Sequence, residues 1–148
     1  MNDETNGPPA AALALFRYAA PAVAAGRVAL GLIALIRPSA VARPWIGESA
    51  DELGARVFGR ALGARDLALG LGALAATLQA PAGPQSAGAW YAAGALSDAL
   101  DFGITAAAWP RLPRVTRWLI AAAAGGAAIA GAAGTVTVLA QGAVDSDG

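Results

Sequence analysis

Apolar residues in this chain cluster into four long segments, separated by short breaks that contain proline, glycine or charged residues. The segments cover about 19–36, 61–79, 88–109 and 118–140, and each is close to the roughly 20 residues that a helix needs to cross the hydrocarbon of a bilayer. The pattern predicts an all-α fold, a four-helix transmembrane bundle. We expect one transmembrane helical domain over 10–141, with disordered polar tails at 1–9 and 142–148.

The breaks between the segments indicate where the helices begin and end. Two prolines in "IRPSAVARPWIG" end the first helix. The stretch from Ser49 to Glu52 has the spacing of a capping box, so we expect the second helix to start there. Its first turns would then place Leu53, Val57 and Phe58 at the membrane surface. "APAGPQSAG" and "WPRLPRV" are predicted to be turns.

Arginines are distributed unevenly between the two predicted sides of the membrane. The side that holds the first and third links carries seven of them: Arg37, Arg43, Arg56, Arg60, Arg111, Arg114 and Arg117. The other side has Arg17. Because basic residues near the ends of spans stay in the cytoplasm, we expect a multi-pass protein of the plasma membrane with both termini outside. Trp45, Trp109 and Trp118 would lie at the inner interface, and Trp90 with Tyr91 at the outer one.

Composition agrees with the membrane class and removes several functions. The chain has 148 residues, of which 57% are hydrophobic and 14% charged, and its ten arginines balance ten acids. This balance gives no reason to expect a nucleic-acid partner. The absence of Cys and His excludes disulfides and thiol chemistry and removes the commonest metal ligand. We therefore predict no cofactor, no metal and no catalytic residue, and the expected partner is the lipid bilayer.

Five charged residues inside the predicted spans are the candidates for a functional site. These residues are Arg27 in the first span, Arg65 and Asp66 in the second, and Asp98 and Asp101 in the third. Charges within a membrane are costly and face protein or water rather than lipid. We expect them to form a buried polar network in which Arg27 lies near Asp98, and Arg65 pairs with Asp98 or Asp101.

Small residues at helical spacing accompany these charges. The second span has a small and polar seam, and the third span has another; the two seams are predicted to pack together. The glycines expected to allow this packing are Gly59, Gly63, Gly70 and Gly94. The spacing of Gly59 and Gly63 also fits a dimerisation face, so assembly with a second copy or with another membrane protein stays open.

The charges within the spans do not balance. Two arginines stand against three aspartates, which leaves one acid in excess. Either Arg60 bends inward from the interface, or one carboxyl group keeps its proton. Asp98 and Asp101 lie one turn apart, and we expect Asp98, which is nearest the middle of the membrane, to be the protonated one.

A family resemblance rests on "RPSAVARPWIG", "GRALGARDLALGLG" and "SDALD". These stretches resemble a domain-of-unknown-function family of small four-helix integral membrane proteins, distantly similar to DoxX-like proteins. Gly63, Arg65, Asp66, Leu67 and Gly70 match its "G-x-R-D-L-x-x-G" core. The resemblance covers roughly 23–109 and implies a fold and a topology, without an established reaction.

Two classes of function fit these observations. In the first, the charges form a network that fixes helix pairing, and the protein acts through its structure and its partners. In the second, the same charges line a path or binding site for protons, ions or a small amphiphile. A soluble enzyme is a third and weaker reading, because it would have to bury the uncharged segment from Trp118 to Ala140 in a water-soluble core.

Overall fold

The computed structural model describes residues 10–79, 84–114 and 117–146, and this part of the chain is helical without any strand. It contains five α-helices in chain order. They are α1 (Ala10–Ile36), α2 (Pro38–Ile46), α3 (Leu53–Leu78), α4 (Pro84–Ala108) and α5 (Arg117–Ser146), with short 3-10 turns at Gly47–Asp51 and Trp109–Arg111. The predicted all-α class is confirmed. The predicted N-terminal tail, residues 1–9, lies outside the described residues.

The short helix α2 occupies a segment that the sequence pattern treated only as a break. Arg37 leaves the helical conformation, with φ −131° and ψ 67°, as a residue before proline tends to do. Pro38 then takes the first position of α2, where its missing N–H costs nothing. Gly47 ends the helix with φ +69°, a left-handed conformation that favours glycine. The first helix thus ends before Pro38, as predicted, and this proline also begins a second, short helix.

The predicted capping box at Ser49–Glu52 is wrong. This stretch lies mostly within the 3-10 turn, and α3 begins at Leu53 after Glu52, which caps the helix without a side-chain hydrogen bond. The reason is tertiary. Ala50 is completely buried, and its carbonyl accepts a 3.0 Å hydrogen bond from Ser39 Oγ of α2. Packing against α2 thus holds the segment in a turn that local capping alone would not favour.

Close packing occurs mainly within two helix pairs, α1 with α3 and α4 with α5. A Cβ added at Gly63 would lie 2.7 Å from Ala34 Cβ, and one at Gly31 would lie 2.7 Å from the Gly63 carbonyl. Between α4 and α5, a Cβ at Gly131 would lie 3.0 Å from Ala95 Cβ. Gly63 and Gly70 of the α3 seam therefore pack against α1, whereas the seam was predicted to pack against that of α4; Thr77, at the end of the α3 seam, does contact Tyr91 of α4.

Burial follows a pattern opposite to that of a water-soluble bundle. The buried apolar residues are alanines and Tyr91, whereas many large apolar side chains of the helices are exposed, among them Leu30, Leu71, Leu96, Ile104 and Ile129. Arg27 and Asp98 are among the buried residues. Three segments are long and apolar enough to cross a membrane: Tyr18–Ile36, Leu53–Leu78 and Arg117–Thr137. The structure thus fits a membrane protein with at least three candidate spans, and α4 is the predicted span that does not meet this criterion over its described residues.

Candidate functional site

The five charged residues singled out from the sequence meet in one cluster between α1, α3 and α4. Each lies at least seven residues, or about 10 Å, from either end of its helix. We call these five residues, Arg27, Arg65, Asp66, Asp98 and Asp101, the charge network.

Arg27 joins three helices. Its Nη1 donates a 2.6 Å hydrogen bond to Asp66 Oδ1 on α3, and its Nη2 donates a 2.7 Å bond to the carbonyl of Gly94 on α4. The same Nη2 lies 2.5 Å from Asp98 Oδ2, an ion pair that lacks the alignment of a hydrogen bond. The planar guanidinium can make these contacts at once because its donors point in several fixed directions. Arg27 is therefore the centre of the network.

Arg65 extends the network along α4. It forms a bidentate ion pair with Asp101, in which Nη2 lies 2.7 Å from Oδ2 and Nη1 lies 3.3 Å from Oδ1. Its Nη2 also lies 3.3 Å from Oδ1 of the neighbouring Asp66. Of the two partners that the sequence suggested for Arg65, the structure brings Asp101 into contact. The Arg65 side chain is 33% exposed, which makes it the most open member of the network.

The ion pairs form a continuous sequence of alternating charge. Its order is Asp98, Arg27, Asp66, Arg65, Asp101. Alternation brings every carboxylate next to an arginine, yet it leaves one negative charge in excess. Arg60 does not supply the missing charge: it is exposed, and its Nε donates a 3.1 Å hydrogen bond to the carbonyl of Leu35.

Three of the four glycines proposed for helix packing lie at points of close approach. A Cβ at Gly59 would lie 3.1 Å from Pro38 Cβ, and one at Gly70 would lie 2.6 Å from the Ala24 carbonyl. Gly63 faces α1, as described above. A Cβ added at Gly94 would lie 3.5 Å from Arg27 Nε, which is an ordinary contact distance. The contacts of Gly59 and Gly63 are thus within the chain, and they occupy the face that was considered for dimerisation.

A small cavity adjoins the network on one side. It is lined by residues of α1, α3, α4 and α5, including Arg27, Asp98, Tyr91 and Ala127. The space open to the centre of a water-sized sphere is about 20 Å³, which is enough for about one water molecule. Asp66 and Asp101 do not line it. The cavity therefore reaches one end of the network and not the whole of it.

The cavity lies towards one end of the bundle. Its lining residues precede Arg27 on α1 and Asp98 on α4, and they follow Asp66 on α3. All three directions lead to the end where α3 and α4 are linked. There Tyr91 and Thr77 are joined at 2.7 Å, and since Thr77 Oγ1 donates to the carbonyl of Ala73, the Tyr91 hydroxyl is the donor. On the other side of the network Thr105, 1% exposed, donates to the carbonyl of Asp101.

One contact of the site was not expected from the sequence. Gly31 of α1 approaches α3 closely, since a Cβ added there would lie 2.7 Å from the Gly63 carbonyl. A signal for this contact was present. Ala20, Ala24, Arg27, Gly31 and Ala34 recur at intervals of four and three, and all are buried. This spacing describes a small and polar seam on α1 like those recognised on the second and third spans.

A cation would find little room among the three aspartates. Arginines separate them, and among the described residues no group of three acids, histidines or cysteines is arranged to hold a metal ion. The arrangement can fix helices by charge and can bind or release protons at its carboxyl groups.

The opposite end of the bundle carries the exposed charges. The link between α2 and α3 lies near the link between α4 and α5, since a Cβ at Gly47 would be 3.5 Å from Pro113 Cγ. Arg43 and Asp51 form an exposed ion pair there. Trp109 packs edge-on to Trp118 at 4.6 Å, and the guanidinium of Arg117 lies 4.9 Å from the ring centre of Trp109. We call this region, which contains the seven arginines of the two links, the arginine-rich end.

No protein-family model, curated protein or solved structure matches the chain. Evidence for the function therefore comes from the geometry of the charge network and from the distribution of apolar residues around it.

Proposed function

We propose that this protein is a small integral membrane protein of four spans, formed by α1, α3, α4 and α5, in which the charge network fixes the pairing and register of the helices. The observation that carries this proposal is the reversal of polarity: the exposed surface at mid-helix is apolar, and the charges lie inside. In water such a surface would be strongly unfavourable, whereas in lipid it meets a matching solvent.

Helix α4 is the span that composition alone supports least. Its polar residues between 89 and 107 lie on one side: Tyr91, Ser97, Asp98 and Thr105 are buried, and Asp101 is partly buried. All exposed residues between 89 and 107 are apolar. A helix with this division can stand in a bilayer when its polar side faces other helices. We therefore include α4 among the spans.

The network acts as a positional lock in this proposal. Arg27 can reach Asp66, Asp98 and the Gly94 carbonyl together only when α1, α3 and α4 have one relative height. Sliding any of the three helices would separate charges in a medium of low dielectric constant. Buried polar groups are known to set register in this way in some proteins.

The second candidate function is binding or transport of protons, ions or a small amphiphile. One observation favours it: the cavity touches the Arg27 and Asp98 end of the network. Its size argues against an amphiphile, because a space of about 20 Å³ holds about one water. Of the other ligands in this class, a proton fits best, because Arg27 lines the same cavity and would repel a metal cation.

The proposed topology places the arginine-rich end in the cytoplasm and both termini outside the plasma membrane. Seven arginines stand at that end against three acids, Glu48, Asp51 and Glu52, and basic residues in short links are retained inside. Reporter fusions test this. A reporter active only in the cytoplasm should work when inserted in the link before α5 and should be silent at the C-terminus. Activity at both places, or the reverse pattern, contradicts the proposed topology.

We further propose that the surrounding lipid is the main partner. The resemblance to small four-helix DoxX-like membrane proteins is consistent with this and stays a prediction. Assembly with a second copy would have to use a face other than Gly59 and Gly63, because these glycines already contact Pro38 and Ala34. Mass measurement of the protein in a native-like lipid disc would show whether a second copy is present.

A further inference from the structure

The charge network contains one acid that its arginines do not neutralise. Arg27 and Arg65 face Asp66, Asp98 and Asp101, and Arg60 is occupied with the carbonyl of Leu35 outside the network. A net negative charge in the middle of four apolar helices is unfavourable. Binding of a cation or a proton to the network would remove this negative charge, and a proton needs the least space.

The contacts distinguish the three carboxyl groups. Asp101 has the bidentate ion pair with Arg65, and Asp66 lies next to both arginines. Asp98 has only Arg27, which already donates hydrogen bonds to Asp66 and to the Gly94 carbonyl. Oδ2 of Asp98 is buried and accepts no hydrogen bond within the described part of the chain. Asp98 is thus the acid whose charge is least compensated.

The cavity supplies what a protonated carboxyl group at this position needs. A buried O–H requires an acceptor, and the guanidinium of Arg27 offers none. Asp98 lines the cavity, whose volume fits about one water, and a water can accept a hydrogen bond from a carboxyl group. The cavity lies on the side of Asp98 that faces the end where α3 and α4 are linked, and we expect protons to approach from that side.

The ionisable groups around Asp98 come from three of the four packed helices. Arg27 faces it from α1 and Asp66 from α3, while Asp101 and Tyr91 flank it on α4 itself. Helix α5 brings no ionisable side chain to this depth, because residues 118–137 contain none. One arginine shared between two carboxylates, with a third acid one turn away, favours the neutral form of Asp98.

We propose that Asp98 and the adjoining cavity form a buried binding site for one proton and one water, reached from the end of the bundle where α3 and α4 are linked. In the binding step a hydronium ion gives its proton to Oδ1, because Oδ2 lies 2.5 Å from Arg27 Nη2. A lone pair of Oδ1 forms the new O–H bond, and a neutral water remains in the cavity. The proposal rests on the proposed function, because only a lipid environment makes the surplus charge so unfavourable.

Infrared spectroscopy of the protein in lipid discs at neutral pH tests the site directly. The spectrum should contain the band of a protonated carboxyl group. Asp98→Asn should remove that band without loss of folded protein, and Asp98→Glu should shift it. Thr105→Val is the matched control: it lies two turns away on the same helix, leaves the charges of the network unchanged, and should retain the band. Absence of the band in the natural protein, or its persistence in Asp98→Asn, overturns the proposal.

A second measurement examines the water. Ala127→Val adds two methyl groups to the wall of the cavity. It should slow the exchange of the Asp98 carboxyl proton for deuterium, followed by its infrared band, at least several-fold. Ala123→Val, on an exposed position of the same helix, is the control and should leave the exchange rate unchanged. Equal exchange rates in the two variants contradict the water site. The proposed structural role of the network is tested separately. It is contradicted if removal of Arg27 or Asp66 leaves the free energy of unfolding unchanged, whatever the carboxyl band shows.

Discussion

The charge network and the arginine-rich end both contain ion pairs between arginine and aspartate, but in different surroundings. In the network, Arg27 and Asp98 have side chains that are 10% and 12% exposed, whereas at the other end Arg43 and Asp51 are 60% and 53% exposed. Water screens the exposed pair and can replace either partner. It cannot do so for the buried pairs, where loss of one partner leaves a charge in apolar surroundings. Removal of one partner is therefore expected to lower the free energy of unfolding much more for the buried pair than for the exposed pair, although both are Arg–Asp contacts.

Removal of Arg27 should have the largest effect. Arg27→Ala leaves the Asp66 carboxylate and the Gly94 carbonyl without their donor and Asp98 without its neighbouring guanidinium, and we expect a loss of about 5 kcal/mol in the free energy of unfolding. Unfolding by SDS titration in mixed micelles measures it. Because this variant risks failing to fold, Arg27→Lys serves as a second test. It keeps the charge but not the fork of donors, and should be intermediate. A stability equal to that of the natural protein would remove the case for a lock.

Removal of Asp66 should come next. Each arginine keeps another acid, Asp98 for Arg27 and Asp101 for Arg65, so Asp66→Ala should cost about 3 kcal/mol, the lower end of the range for breaking a buried pair. Thr77→Ala is the control on the same helix. It removes bonds to Ala73 and Tyr91 and should cost about 1 kcal/mol. Equal losses in the two variants would mean that Asp66 contributes no more than an ordinary hydrogen-bonding residue.

Adding a methyl group where α1 and α3 pack closely, beside the network, should have an intermediate effect on the free energy of unfolding. Gly63→Ala places a Cβ 2.7 Å from Ala34 Cβ and 2.9 Å from the Gly31 carbonyl, and overpacking of this kind costs about 1–3 kcal/mol. Gly26→Ala, on α1, adds the same methyl group where nothing lies within 4 Å. It should be neutral or stabilising by up to about 1 kcal/mol, because alanine favours a helix over glycine. Equal effects at the two positions would show that α1 and α3 do not approach as closely as described.

The sequence was informative about the charges and less so about their neighbours. Arg65 had to reach another helix because it points about 100° away from Asp66, and the spacing of Asp98 and Asp101 places both on one side of α4. Which helix each seam faces could not be deduced, since seams of equal period can pair in several ways. In the structure the seam of α1, from Ala20 to Ala34, packs against the glycines of α3.

The region between α1 and α3 shows the other limit. Ser49 to Glu52 satisfies a local rule for starting a helix, yet burial of Ala50 and its bond to Ser39 override that rule. Local signals predicted the long apolar helices well, because each helix carries its signal over many residues. They failed for a five-residue turn, where one tertiary contact outweighs the capping preference of about 1 kcal/mol.

The exposed ion pair should give the smallest effect and completes the comparison. Arg43→Ala breaks the contact with Asp51 at the arginine-rich end, but both side chains remain hydrated after the change. Exposed pairs contribute about 0–1 kcal/mol, and the value falls as salt is added. We therefore expect Arg43→Ala to unfold within about 1 kcal/mol of the natural protein in the same SDS titration, and to match it in high salt. Arg27→Ala should keep its deficit in high salt, because ions do not reach a pair enclosed by helices. A loss of several kcal/mol for Arg43→Ala would show that the short helix α2 is held to the turn at Gly47–Asp51 by charge, and that the contrast between the two regions is smaller than their exposure implies.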